Sequence, residues 1–236
     1  MPLRRLTARN RSEATNWSLA AILALTAGVV DVSGYMALRQ YTSHMSGLIA
    51  DLSWKMTLAG FRSVSVPAVV LASFLAGAVV CAIAINWLRR LQWESQYAVP
   101  VLIEAVLLAA AAWICSPLRV FTTVAILAFT MGLQNAIITK ISNKEIRTTH
   151  VTGTITDIGI QIGRALYWNR SDRGEPVRAD VPHLLLLTLL VVLFFTGGVL
   201  SAWSFPHTGF HLLLPFAIFL ALLTILPIRA DLHRIS

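Results

Sequence analysis

Thr42-Ser-His-Met-Ser-Gly-Leu-Ile-Ala-Asp-Leu52 and Thr148-Thr-His-Val-Thr-Gly-Thr-Ile-Thr-Asp-Ile158 are two versions of one segment. Thr, His, Gly, Ile and Asp coincide, and Ser/Thr and Leu/Ile exchanges fill most of the remainder. Upstream, Ala24-Leu-Thr-Ala-Gly-Val-Val-Asp31 aligns with Ala128-Phe-Thr-Met-Gly-Leu-Gln-Asn135, with Asp31 opposite Asn135. Downstream, Phe74-Leu-Ala-Gly77 echoes Phe195-Thr-Gly-Gly198, and Pro100-Val-Leu-Ile103 echoes Pro215-Phe-Ala-Ile218. The order is the same in both halves, so the chain reads as an internal duplication.

The composition says where that duplication lives. Of 236 residues, 56% are hydrophobic and 13% charged, and the mean hydropathy is +0.71. A soluble domain carries about 25% charged residues, and one core of this size cannot bury so much apolar surface. The excess faces lipid. Six stretches approach the ~20 apolar residues needed to cross a bilayer: Ser18–Leu38, Ser65–Leu88, Tyr97–Cys115, Val120–Thr139, Pro182–Trp203 and Phe210–Pro227. They lack the alternation of barrel strands, so they are expected to be helices. The first continues past Asp31 without a small-residue cleavage site, which argues for a retained span rather than a signal peptide.

Fifteen of the nineteen Lys and Arg fall on one side of this threading, which places both termini inside. The net charge of +8 has that origin, and no nucleic-acid partner is expected. The chain divides into a basic N-terminus (1–17), a first three-span unit (18–116), a second (117–228) and a short tail (229–236). Three spans is an odd number, so the second unit enters from the opposite face. The expected fold is therefore an all-α membrane protein of six transmembrane helices arranged as an inverted 3+3 repeat, as in many secondary transporters. The two motif segments, after spans 1 and 4, are expected to be amphipathic or re-entrant. In the second, Ile155, Ile158, Ile162 and Leu166 share a face that should pack against the bundle. Gly159-Ile-Gln-Ile-Gly163 has the spacing of a close helix contact.

Ionisable groups within spans need a reason to be there. Asp31 lies late in the first span between Gly28 and Gly34, where the helix could break and bind a solute. It could equally pair with Arg39. Glu104 lies in the third span, as a proton carrier or as a group reaching toward Arg89 and Arg90. Gly47 and Gly153 offer freedom for a turn, Ser46 and Thr152 could cap the helices that follow, and the same helix starts could bind an anion. His44 and His150 are the repeated imidazoles, and Asp51 and Asp157 the repeated carboxylates. With Gln134 and Asn135 they complete the candidate solute or ion site. No metal site or cofactor is expected: Cys81 and Cys115 lack metal-ligand spacing. No GxSxG, HExxH or P-loop marks an enzyme.

Gly132-Leu-Gln-Asn-Ala136, followed by Arg147-Thr-Thr-His-Val-Thr-Gly-Thr-Ile-Thr-Asp157, resembles the second-half signature of the YoaK-type family of small bacterial inner-membrane proteins, a domain of unknown function. Ala27-Gly-Val-Val-Asp31 with His44-Met-Ser-Gly47 is similar to its opening motif, although Leu48 stands where the family usually has Asn. The resemblance covers about residues 20–228. It implies a six-span protein of the bacterial inner membrane and supplies no substrate. The expected activity is transport of a small solute or ion, with the bilayer and that solute as partners and a homodimer as a candidate assembly. The alternative is a non-transporting scaffold or regulator.

Overall fold

The computed structural model describes residues 13–58, 61–141, 151–168 and 176–235. These form α1 (Glu13–Leu38), α2 (Met45–Leu58), a 3₁₀ turn (Phe61–Val64) leading into α3 (Ser65–Arg90), α4 (Ala98–Ile114), α5 (Val120–Ile141), α6 (Val151–Leu166), α7 (Val181–Thr208), a second 3₁₀ turn (Gly209–Leu213) and α8 (Leu214–Ile235). No strand occurs among the described residues. Four stretches are long and apolar enough to cross a membrane: Trp17–Leu38, Ser65–Arg90, Val120–Lys140 and Val181–His233, the last containing both α7 and α8. Helix α4 is apolar but shorter, at 17 residues.

Composition sorts the helices into centre and periphery. The spans in α1 and α5 are each 67% buried, against 22% for α3 and 33% for the α7–α8 stretch. The polar residues follow this division: Thr26, Asp31, Ser33, Thr130 and Gln134 are buried on the central pair. Leu75, Val79 and Ile83 on α3, and Leu185, Leu189 and Phe195 on α7, face outward. Outward apolar surface on this scale suits a lipid solvent, in which satisfied backbone is what matters.

Three pairings dominate the packing: α3 with α5, α1 with α7, and α4 with α8. Exchanging each first-half helix for its second-half equivalent turns α3–α5 into α7–α1 and returns α4–α8 to itself. Glycine makes the first two pairings close. A Cβ on Gly28 would overlap the Phe194 carbonyl, and one on Gly132 would overlap that of Phe74. Reciprocally, Gly77 has no room beside the Phe129 carbonyl, nor Gly197 beside that of Leu25. Backbone meets backbone at these points, as small residues permit. The contacts also correct the sequence echo by one residue, since Phe74 and Gly77 correspond to Phe194 and Gly197 rather than to Phe195 and Gly198.

Helix directions follow from individual contacts. Gly28 meets Phe194, and further along both helices Ser33 Oγ lies 2.9 Å from Ser201 Oγ, so α1 and α7 run parallel. Val70 clusters with Val124 and Ala128, upstream of the Gly77–Leu133 contact, so α3 and α5 also run parallel. Helices α4 and α8 are antiparallel, joined by Asp231 and Ser95 at one end and by Trp113 stacked edge-on against His211 (4.8 Å) at the other. Helices α1 and α5 are antiparallel too: Gln134 Nε2 donates to the Leu23 carbonyl, while Gly34 faces Leu127.

Three expectations are corrected here. Helix α1 continues through Gly28 and Gly34 without a break, because those glycines admit neighbours rather than bend the chain. Helix α6 does not pack its isoleucine stripe against the bundle: its buried residues are Thr154 and Gln161, at 9% and 8% exposure, whereas Ile155 and Leu166 are 55% and 80% exposed and Asp157 and Arg164 are exposed too. The Gln161 Oε1 accepts the Asp180 N–H at 2.9 Å, which ties α6 to the start of α7. Among the described residues, a Cβ on Gly159 or Gly163 would meet nothing within 4 Å, so their spacing marks no contact with another described helix. Beyond the sixth apolar stretch, α8 continues through Asp231, which is 3% exposed and accepts from the Ser95 N–H at 2.9 Å.

Candidate functional site

Helix α1 ends at Leu38, where Arg39 takes a positive φ of 55° and its N–H returns to the Tyr35 carbonyl at 2.8 Å. This left-handed cap reverses the chain toward the axis. The returning loop is held by Asp31. Its Oδ1 accepts the Thr42 N–H (2.9 Å), the Thr42 hydroxyl (3.0 Å) and the Ser43 N–H (3.0 Å). Arg39 is not its partner: the guanidinium lies over the Tyr35 ring at 5.5 Å, Tyr35 stacks on Tyr41 at 4.6 Å, and Tyr41 meets His44 edge-on.

Helix α2 then starts at Met45. Gly47 has an ordinary backbone conformation, and its role is spatial, since a Cβ there would overlap the His44 ring. This is a different reason for the glycine than the freedom to turn. Among the described residues the Ser46 and Thr152 hydroxyls have no hydrogen-bond partner, so neither acts as a cap; both sit in the first turn of their helices.

They open instead onto one cavity of about 920 Å³. Its walls carry equivalent residues from both halves: Asp31 and Asn135, Met45 and Val151, Ser46 and Thr152, Phe74 and Phe194. Ser43, His44, Tyr41, Thr139 and Lys140 complete its polar lining. Asp31 is 6% exposed and lines the cavity, with the Ser43 hydroxyl beside its carboxylate. Asn135 donates Nδ2 to the Met131 carbonyl at 2.8 Å while lining the cavity.

Of the residues expected from sequence, Asp31, His44, Ser46, Asn135 and Thr152 therefore meet in one place. Gln134 is fully buried but acts as a strut to α1. Asp51 pairs with Lys55 at 2.6 Å, one turn along α2 and outside the cavity. Asp157 lines a separate pocket of about 430 Å³ with Gln161, Arg164, Asp180 and His183. Glu104 is fully buried in α4, with no hydrogen-bond partner for either oxygen among the described residues, and does not line the cavity. His150 lies outside the described residues. Among those residues no group of three His, Cys, Asp or Glu could hold a metal ion.

Sequence reasoning missed Tyr41, Phe74, Phe194 and Lys140. Phe74 and Tyr41 carried a signal, one within a repeat echo and one directly before the first motif. Lys140 was hidden among the basic residues that follow α5.

An all-helical fold with this apolar exterior and long apolar helices defines a transmembrane protein. The chain belongs to the family described as "Protein of unknown function (DUF1275)", which it matches over residues 19–226. It is 27% identical over 198 residues to the UPF0700 transmembrane protein YoaK of Bacillus subtilis (strain 168), covering 80% of this chain and 84% of that one. No solved structure matches it.

Proposed function

We propose that this protein is a six-span, inverted 3+3 repeat that carries a small solute or ion across the bacterial inner membrane by alternating access, without catalysing a reaction. The observation that carries this reading is the shared cavity, lined by equivalent residues of both halves. Inverted-repeat transporters hold their substrates at such a seam. Support for six crossings comes from the helix directions: the hydroxyl of Tyr97, just before α4, donates to the Lys140 carbonyl near the end of α5 at 3.4 Å, so α4 opposes α5, and α1, α4 and α7 run one way while α3, α5 and α8 run the other. Equivalent helices of the two halves are mutually reversed.

The glycine contacts suggest the moving parts. The pairs α1–α7 and α3–α5 each join helices from both halves through backbone-to-backbone contact, so each moves as a unit. Asp31 and Phe194 belong to one pair, and Phe74, Gly132 and Asn135 to the other. Rocking one pair against the other would open the cavity first at the α2 end and then at the α6 end. Both halves of a single chain supply the lining, so a dimer is not required for a pathway.

Flux into proteoliposomes tests the function. The wild type is expected to move at least one solute from a panel of inorganic cations, amines, carboxylates and amino acids, and Asp31→Asn to lose that flux. Asparagine keeps an acceptor oxygen for Thr42 and Ser43, so the loss would report the charge. Unchanged flux in Asp31→Asn removes Asp31 from the mechanism, and no flux for any solute favours a scaffold.

Topology has its own test, made in a background with Cys81 and Cys115 replaced. Cysteine at position 118, between α4 and α5, is expected to react with an impermeant maleimide outside the cell. Cysteine at position 92, between α3 and α4, is expected to react only after lysis. Labelling of both from outside rules out the proposed threading.

A further inference from the structure

We propose that the cavity takes a small amphoteric solute, an aminocarboxylate whose ammonium meets Asp31 and whose carboxylate meets Lys140. This rests on reading the cavity as the transport site and names the chemistry of its cargo.

Asp31 and Lys140 are the carboxylate and ammonium groups on its described walls. They form no ion pair with each other or with any described residue. The repeat sharpens the point. Asp31 corresponds to Asn135, and Lys140 corresponds by the same alignment to Met36. One half has supplied the acid and the other the base, so the symmetry is broken twice, in opposite senses.

The two charges sit at opposite ends. In the antiparallel packing of α1 on α5, Gly34 faces Leu127 and Gln134 reaches Leu23, which sets Asp31 level with about residue 128. Lys140 lies twelve residues further along α5, about 18 Å at 1.5 Å per residue. Side chains on a helix lean toward its N-terminus. On these opposed helices both Asp31 and Lys140 therefore lean toward the middle, which shortens the gap. Phe74 and Phe194, packed beside Gly132 and Gly28, form an apolar waist between them.

Each end is furnished for its group. At the acidic end, the loop holds Oδ1 while the Asp31 carboxylate lines the cavity, where it can accept from an ammonium, with the Ser43 and Ser46 hydroxyls on the same wall. At the basic end, the Thr152 hydroxyl lines the cavity with Lys140 and can add a hydrogen bond to a carboxylate. A simple cation would be opposed by Lys140 and a simple anion by Asp31. A molecule carrying both charges, joined by a few methylenes through the waist, satisfies both.

Ligand-induced thermal stabilisation of the purified full chain tests this with glycine, 4-aminobutyrate and 6-aminohexanoate, against hexylamine and hexanoate as single-charge controls. The expected result is stabilisation by the longer aminocarboxylates and little by either control. Asp31→Asn and Lys140→Met should each weaken the apparent affinity about tenfold or more, as loss of a charged hydrogen bond does. Equal stabilisation by a control, no stabilisation by any aminocarboxylate, or unchanged affinity in both variants overturns the proposal. The wild-type comparison alone decides should a variant misfold. Counterflow of the best ligand in liposomes separates the two readings. Binding without counterflow sinks transport and leaves the amphoteric site, whereas flux of hexylamine or hexanoate equal to that of the aminocarboxylates does the reverse.

Discussion

Gly132→Ala is expected to destabilise the protein by about 3 kcal/mol, the upper part of the usual range for overpacking. Its new Cβ would overlap the Phe74 carbonyl, and also press on the carbon and Cα of that residue. These are backbone atoms, so no rotamer change relieves the clash. Helices α3 and α5 must separate along their length. Gly28→Ala should behave alike on the other pair, where the obstacle is the Phe194 carbonyl. The control is within the same chain. Among the described residues Gly159→Ala and Gly163→Ala meet open space on a helix face, and should stabilise by about 0.5–1 kcal/mol through helix propensity. Thermal unfolding in detergent, followed by tryptophan fluorescence, distinguishes these outcomes. A Gly132→Ala protein as stable as wild type would mean that the backbone contact between α3 and α5 is absent.

Asp31→Ala carries the second large effect, an expected loss of about 3 kcal/mol. Two backbone N–H groups and one hydroxyl lose their shared acceptor, and each buried donor left unsatisfied costs about 1–3 kcal/mol. Water from the cavity will offset part of this sum. Asp31→Asn keeps an oxygen in place and exchanges charged for neutral hydrogen bonds, so its cost should be roughly half or less. The same unfolding assay, run on both variants, checks the difference. Equal stability of the Ala variant and the wild type would show that the α1–α2 loop does not depend on this carboxylate. The two substitutions thus separate the residue's structural role from its charge, which a single variant could not do.

The helical, membrane-spanning character was legible because it depends on composition summed over long windows, where single errors cancel. Several candidate residues were legible for another reason. Duplication marks positions twice, and five of the marked residues line one cavity. Asp51 and Asp157 repeat as faithfully yet lie outside that cavity, one paired with Lys55 and the other lining a second pocket. A repeated residue type does not fix where its side chain lands, and a helix start reaches the cavity where its next turn does not.

What the amino-acid order determined alone was local: which segments are helical, which are apolar enough for lipid, and which positions correspond between the halves. Direction of burial was settled by tertiary structure. In a bilayer both faces of an apolar helix are acceptable to the solvent, so the isoleucine stripe of α6 carries no instruction to point inward. Gln161 on that helix is buried instead, held by the hydrogen bond from Asp180. Glycine was equally mute in isolation. Gly28 and Gly132 became helix contacts and Gly159 did not, because only the approach of another backbone gives a missing Cβ its meaning. Asp31 and Lys140, far apart along the chain, share a cavity only once α1 and α5 pack in opposite directions.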